Sequence, residues 1–103
     1  MQFKYTDGFN AKDFAAAVTT AVDYKLVEDE KRPFINIVAS AASKTVTLDL
    51  ADGDTCIVAN VGASNAFTLK NVSGDTGTSV AAGKVAFVFA STTADASKVY
   101  VLN

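Results

Sequence analysis

Ten residues, Asp75 to Lys84 (DTGTSVAAGK), bring a glycine and a Gly-Lys pair close enough together to suggest a phosphate cradle. Such a loop needs four residues between its glycines, Ser or Thr after the lysine, and a helix N-terminus behind it. Here five residues separate Gly77 from Gly83, Val85 follows Lys84, and the next stretch, VAFVFA, reads as a strand. All three requirements fail, so Ala81-Ala82-Gly83 is read as a β-turn whose glycine takes backbone angles that other residues resist. Asp49, Asp52 and Asp54 lie close together, but a calcium loop needs a late bidentate Glu, and Asn60 stands eleven residues past Asp49. They are read as a solvent-facing Asp and two turn residues.

Cys56 sits beside Ile57 and Val58 with no lysine nearby in sequence. A nucleophilic thiol needs a depressed pKa, so a core cysteine is the expectation. Asp75 and Asp95 fall in different loops with nothing to raise either pKa, so no carboxylate pair for glycoside chemistry can be placed. Phe87, Phe89 and Tyr100 have strand spacing, which reads as core; exposed on a sheet face they would suit sugar stacking. The chain has no histidine, which removes Ser-His-Asp and Cys-His catalysis and the commonest metal ligand. The expectation is a non-enzymatic protein with no cofactor, no metal and no catalytic residues.

The 103 residues suffice for one modest core. A net charge of -2 gives no footprint for nucleic acid. One cysteine excludes an internal disulfide. The opening MQFKYTDGFN lacks the apolar run of a signal peptide, and no stretch approaches a membrane span. Synthesis in a reducing cytoplasm is expected.

Eleven of the twenty charged residues fall within residues 1–33. This part is expected to be a charged, partly helical arm, and residues 34–103 a β domain. In the arm, Asn10 is a plausible N-cap, and Phe14, Val18 and Val22 recur every four residues, which predicts one face of a helix over Asn10–Val22. That face, Phe14, Val18 and Val22, is the expected docking surface, with Phe3 and Tyr5 as an N-terminal strand. Beyond Pro33, strands are expected at FINIVA (34–39), KTVTLDL (44–50), TCIVAN (55–60), AFTLKN (66–71), KVAFVFA (84–90) and KVYVLN (98–103). Asp52-Gly53 reads as a hairpin turn, and residues 72–83 as a long Gly/Ser connection. The fold expected is mainly β, a small antiparallel sandwich or barrel, jelly-roll-like, behind the helical arm. The absence of an exact repeat argues against a solenoid.

From about Val46 to Asn103 the chain resembles the small β domains of tailed-phage virion proteins: capsid decoration or cement proteins, head-fibre bases and fibre modules. The residues that carry the resemblance are TVTLDLADGDTCIVANVG, NAFTLKN, GTSVAAGKVAFVFAS and the closing KVYVLN. The resemblance implies a structural protein on the capsid surface of a virion, bound to the major capsid protein or another virion protein and self-associated as a homotrimer or array, without nucleic acid or membrane. The alternative it leaves open is a receptor- or carbohydrate-binding module of a tail or fibre.

Overall fold

Alternation of apolar and polar residues with a period of two draws much of this chain into strands, because that spacing puts the apolar set on one face of a strand. The computed structural model describes residues 14–102. The strands are β1 (Ala15–Thr20), β2 (Tyr24–Lys25), β3 (Phe34–Ala39), β4 (Lys44–Thr47), β5 (Thr55–Asn60), β6 (Phe67–Lys70), β7 (Thr78–Val80), β8 (Val85–Phe89) and β9 (Lys98–Leu102). They form a five-stranded sheet in the order β1-β3-β5-β8-β9 and a four-stranded sheet in the order β2-β4-β6-β7.

The pairing corrects the antiparallel expectation. β1, β3 and β5 run parallel, as do β2, β4 and β6; only β5-β8-β9 and β6-β7 are antiparallel. Both sheets are therefore mixed, and neither closes into a barrel. Up to β6 the chain alternates strictly between the two sheets, so β1/β2, β3/β4 and β5/β6 are three successive coils of a short solenoid. The solenoid rejected on sequence is present in its winding: coils need matching inward residues, which different sequences supply, and no exact repeat.

The Asp52-Gly53 turn is consequently no hairpin. It carries the chain from β4 in one sheet to β5 in the other, closed by the Asp54 N–H on the Ala51 carbonyl at 3.1 Å. The Ala81–Lys84 turn makes the same crossing from β7 to β8, with the Lys84 N–H donating to the Ala81 carbonyl at 3.0 Å and Gly83 at φ +81°. Positive φ at the third position is what a type II turn requires, so the Gly-Lys pair marks a change of sheet.

The expected helix is corrected from Ala15 onward; Phe14, the first described residue, is helical. Ala15–Thr20 is a strand in register with β3, Ala15 opposite Phe34 and Thr20 opposite Ala39; residues 10–13 lie outside the described residues. Four-residue spacing fits one side of a strand as well as one side of a helix, and the neighbouring strand decided. β1 and β2 both lie upstream of Pro33 and belong to the same two sheets as the later strands. β7 falls inside the stretch expected to be an open connection.

One core fills the space between the sheets. Val18, Ile35, Ile37, Cys56, Val58, Ala86 and Val88 meet Val46, Leu48, Leu50, Phe67, Leu69 and Val80 there. Buried asparagines brace the two sheets at the strand ends. Asn60, closing β5, donates to the Asn65 and Val80 carbonyls, both at 2.9 Å, and accepts from the Gly62 N–H at 3.0 Å. Asn71, just past β6, donates to the carbonyls of Leu50 (3.1 Å) and Ser91 (2.8 Å) and accepts from the Leu50 N–H at 2.8 Å.

Candidate interaction surface

The charged and nucleophilic candidates resolve into structural parts. Cys56 is buried in the core, and burial pushes its thiol up to about 12, so it stays protonated at neutral pH. Asp49 is held by Lys31 (3.4 Å) and Lys25 (3.6 Å). Asp52 accepts the Thr92 N–H and hydroxyl, and these bonds hold its carboxyl below the usual range.

Asp75 and Asp95, expected apart, are interlocked. Asp75 accepts the N–H groups of Asn71 (2.9 Å) and Val72 (3.1 Å) on one oxygen and of Asp95 (2.7 Å) on the other. Asp95 returns the bond by accepting the Thr76 N–H at 2.6 Å. Burial alone would raise the Asp75 pKa, but the three N–H donors and Lys70 outweigh it and hold the carboxyl low. An acid catalyst needs the opposite shift from that of Asp75; through their hydrogen bonds Asp75 and Asp95 latch the two loops together. Among the described residues, no group of three His, Cys, Asp or Glu side chains is placed to hold a metal ion. No helix of the described residues is long and apolar enough to cross a membrane. A recess of about 470 Å³ beside Lys44, Ser64 and Asn65 has, among the described residues, Lys44 as the one ionisable group in its lining.

The expected docking residues do not form one face. Phe3 and Tyr5 lie outside the described residues. Val18 is 5 % exposed and belongs to the core, while Val22 is 62 % exposed in the turn after β1. Phe14 is half-buried, its ring 6.3 Å from that of Phe34.

The feature that stands out is the outer face of the five-stranded sheet. Pairing lines up Ala15, Phe34, Ile57, Phe87 and Tyr100 across all five strands, and Ala17, Asn36, Ala59, Val85 and Leu102 in the next row. The third row ends Thr55, Phe89, Lys98, and among the described residues of these strands Lys98 is the only charge on the face. The large exposed apolar side chains of the face stand on β8 and β9: Phe87 39 %, Phe89 50 %, Tyr100 56 % and Leu102 45 %. Phe89 and Tyr100 meet edge to face with ring centroids 6.0 Å apart. A shallow apolar recess of about 380 Å³ opens among Phe14, Pro33, Ile57, Phe87 and Phe89.

Five strands about 4.8 Å apart and five residues deep give a face on the order of 300 Å². That is the size of the largest apolar patch on a typical monomer, and such patches are often functional. Burying the remaining exposed half of each aromatic ring contributes on the order of 1 kcal/mol. Alternation predicted two sides for β8 and β9; it assigned the aromatics to the core because both sides are apolar, and sheet order alone shows which side faces water.

Comparison with protein-family models, with curated proteins and with solved structures finds no match for this chain.

Proposed function

We propose that this chain is a non-enzymatic structural protein of a tailed-phage virion, one that decorates and stabilises the capsid through protein–protein contacts. The two sheets then act as a small sandwich presenting one adhesive face. The observation that carries the reading is the outer face of β3, β5, β8 and β9, mostly apolar and, among the described residues, bearing one charge, Lys98. The titratable groups support it. Asp49 and Asp52 are committed to named partners, Asp75 latches two loops, and the Cys56 thiol is buried. The virion assignment itself rests on the resemblance of residues 46–103 to phage β domains.

The test is co-sedimentation with empty capsids of the host phage. The expected result is pelleting of the native chain and its loss in a Phe87→Lys, Phe89→Lys variant whose thermal midpoint is unchanged. A native chain that stays in the supernatant overturns the proposal.

A second reading, a carbohydrate- or receptor-binding module, is favoured by one observation, the exposed rings of Phe87, Phe89 and Tyr100 on a sheet face. Sugar recognition adds directional polar groups to aromatic stacking, and among the described residues this face offers Thr19, Asn36, Thr55, Lys98 and the Tyr100 hydroxyl, with no carboxylate among them. A glycan array separates the two: hits lost on Tyr100→Ala support the module, and an empty array removes it.

A further inference from the structure

We infer that two copies of this chain pair β9 to β9, antiparallel, about a two-fold axis at Tyr100, merging their five-stranded sheets into one. The inference goes beyond the virion reading and stands or falls separately from it.

Sheet order puts β9 at an edge, with β8 on its other side. The hydrogen-bond phase of that edge follows from the strands before it. Asn60 donates to the Lys84 carbonyl and Ala90 to the Asp54 carbonyl, so even-numbered residues of β8 turn their backbone groups toward β5. Odd-numbered Val85, Phe87 and Phe89 therefore turn theirs toward β9, opposite Leu102, Tyr100 and Lys98. By the same alternation Val99 and Val101 aim their N–H and C=O groups off the sheet, where among the described residues no strand pairs with them.

A second β9 satisfies these groups without adjustment. In an antiparallel pair centred on Tyr100, Val99 faces Val101 of the other copy and Val101 faces Val99, and each pair exchanges two hydrogen bonds. Tyr100 then faces Tyr100 in the non-hydrogen-bonded position, where side chains come closest and aromatic pairs are favoured. Charge agrees with this arrangement. Lys98 lies opposite Leu102, so the two lysines sit at opposite ends of the joint, on the order of 13 Å apart along the strands. Both faces continue across the joint. The half-buried Val99 and Val101 extend the core side, and Phe87, Phe89, Tyr100 and Leu102 extend the outer apolar side.

The usual defences of an edge are weak here. β9 carries no proline, its register with β8 is unbroken from Lys98 to Leu102, and its one charge stands at one end. The two-fold joint differs from the three-fold assembly implied by the phage resemblance, so particle mass discriminates between them.

The test is native mass measurement of the full chain across micromolar to millimolar concentration, without capsids. The expected result is a species of twice the 10.7 kDa chain mass. Val101→Pro removes an outward N–H, at the kind of edge position where proline is tolerated, and should weaken the dimer at least tenfold. Tyr100→Lys puts two ammonium groups face to face and should do the same, which keeps the test decisive if the proline variant misfolds. A single-chain mass at every concentration overturns the inference. So does a three-chain mass, or a dimer that survives Tyr100→Lys unweakened. Capsid binding is measured separately, so its failure leaves the mass result interpretable.

Discussion

At the scale of single residues, Asp75 ties two loops together through one carboxylate. It accepts three backbone N–H groups drawn from two loops, and its carboxyl is held below the usual range. A group whose folded pKa is depressed contributes stability that is full above its ordinary value, about 4, and is lost as pH falls through the folded value. Asp75→Ala should cost roughly 3 kcal/mol at pH 7, the scale of unpairing buried donors from a charged acceptor. In urea titrations the gap between native and variant should narrow below about pH 4; a gap independent of pH would remove the charge from the explanation. Glycines give a second contrast. Gly77 and Gly83 share a positive φ, +88° and +81°. A Cβ on Gly77 would stand 2.5 Å from the Thr68 methyl, whereas one on Gly83 meets nothing within 4 Å. Gly83→Ala should cost about 1 kcal/mol from backbone strain alone, and Gly77→Ala distinctly more, read as denaturation midpoints.

At the scale of elements, β1 shows where local preference yields. Its alanines favour a helix, and Phe14, Val18 and Val22 fit a helical stripe. They are also all even-numbered, which suits one side of a strand, and pairing with β3 buries Val18 and Thr20 together. Val18→Asp should therefore unfold the chain or cost more than about 3 kcal/mol, since it buries an unpaired charge. Val22→Asp, in an exposed turn, should stay within about 0.5 kcal/mol. Equal losses in chemical denaturation would contradict this placement. β7 escaped notice for a different reason: three residues within a Gly- and Ser-rich stretch give no usable alternation. The segments that suggested phage β domains contain Asn60 in IVANVG, Asn71 in FTLKN and Gly83 in AAGK. These residues brace the sheets and turn the chain between them, so what those segments share in this fold is a structural role.

At the scale of the whole molecule, the organising fact is a chain that winds three times between two sheets before closing with antiparallel strands. Parallel pairing joins residues about twenty positions apart, so folding must close loops before it gains contacts. Refolding should accordingly take milliseconds to seconds, the range of domains dominated by non-local pairing, and stopped-flow fluorescence of the tyrosines measures it. A microsecond phase carrying the whole amplitude would contradict the winding. The sequence by itself determined the strand character of residues 34–60, 67–70 and 85–102 outside their turns, the inward set Val46, Leu48, Leu50, Phe67 and Leu69, and the Gly83 turn. These follow from alternation and turn chemistry, which act between neighbours in the chain. Tertiary structure alone decided which strands pair, in which direction, and which side of β8 and β9 faces water. Those choices depend on strand partners twenty or more residues away, and period-two patterning is the same for parallel and antiparallel neighbours. The exposed aromatic face and the open β9 edge, on which both proposals rest, are products of that long-range choice.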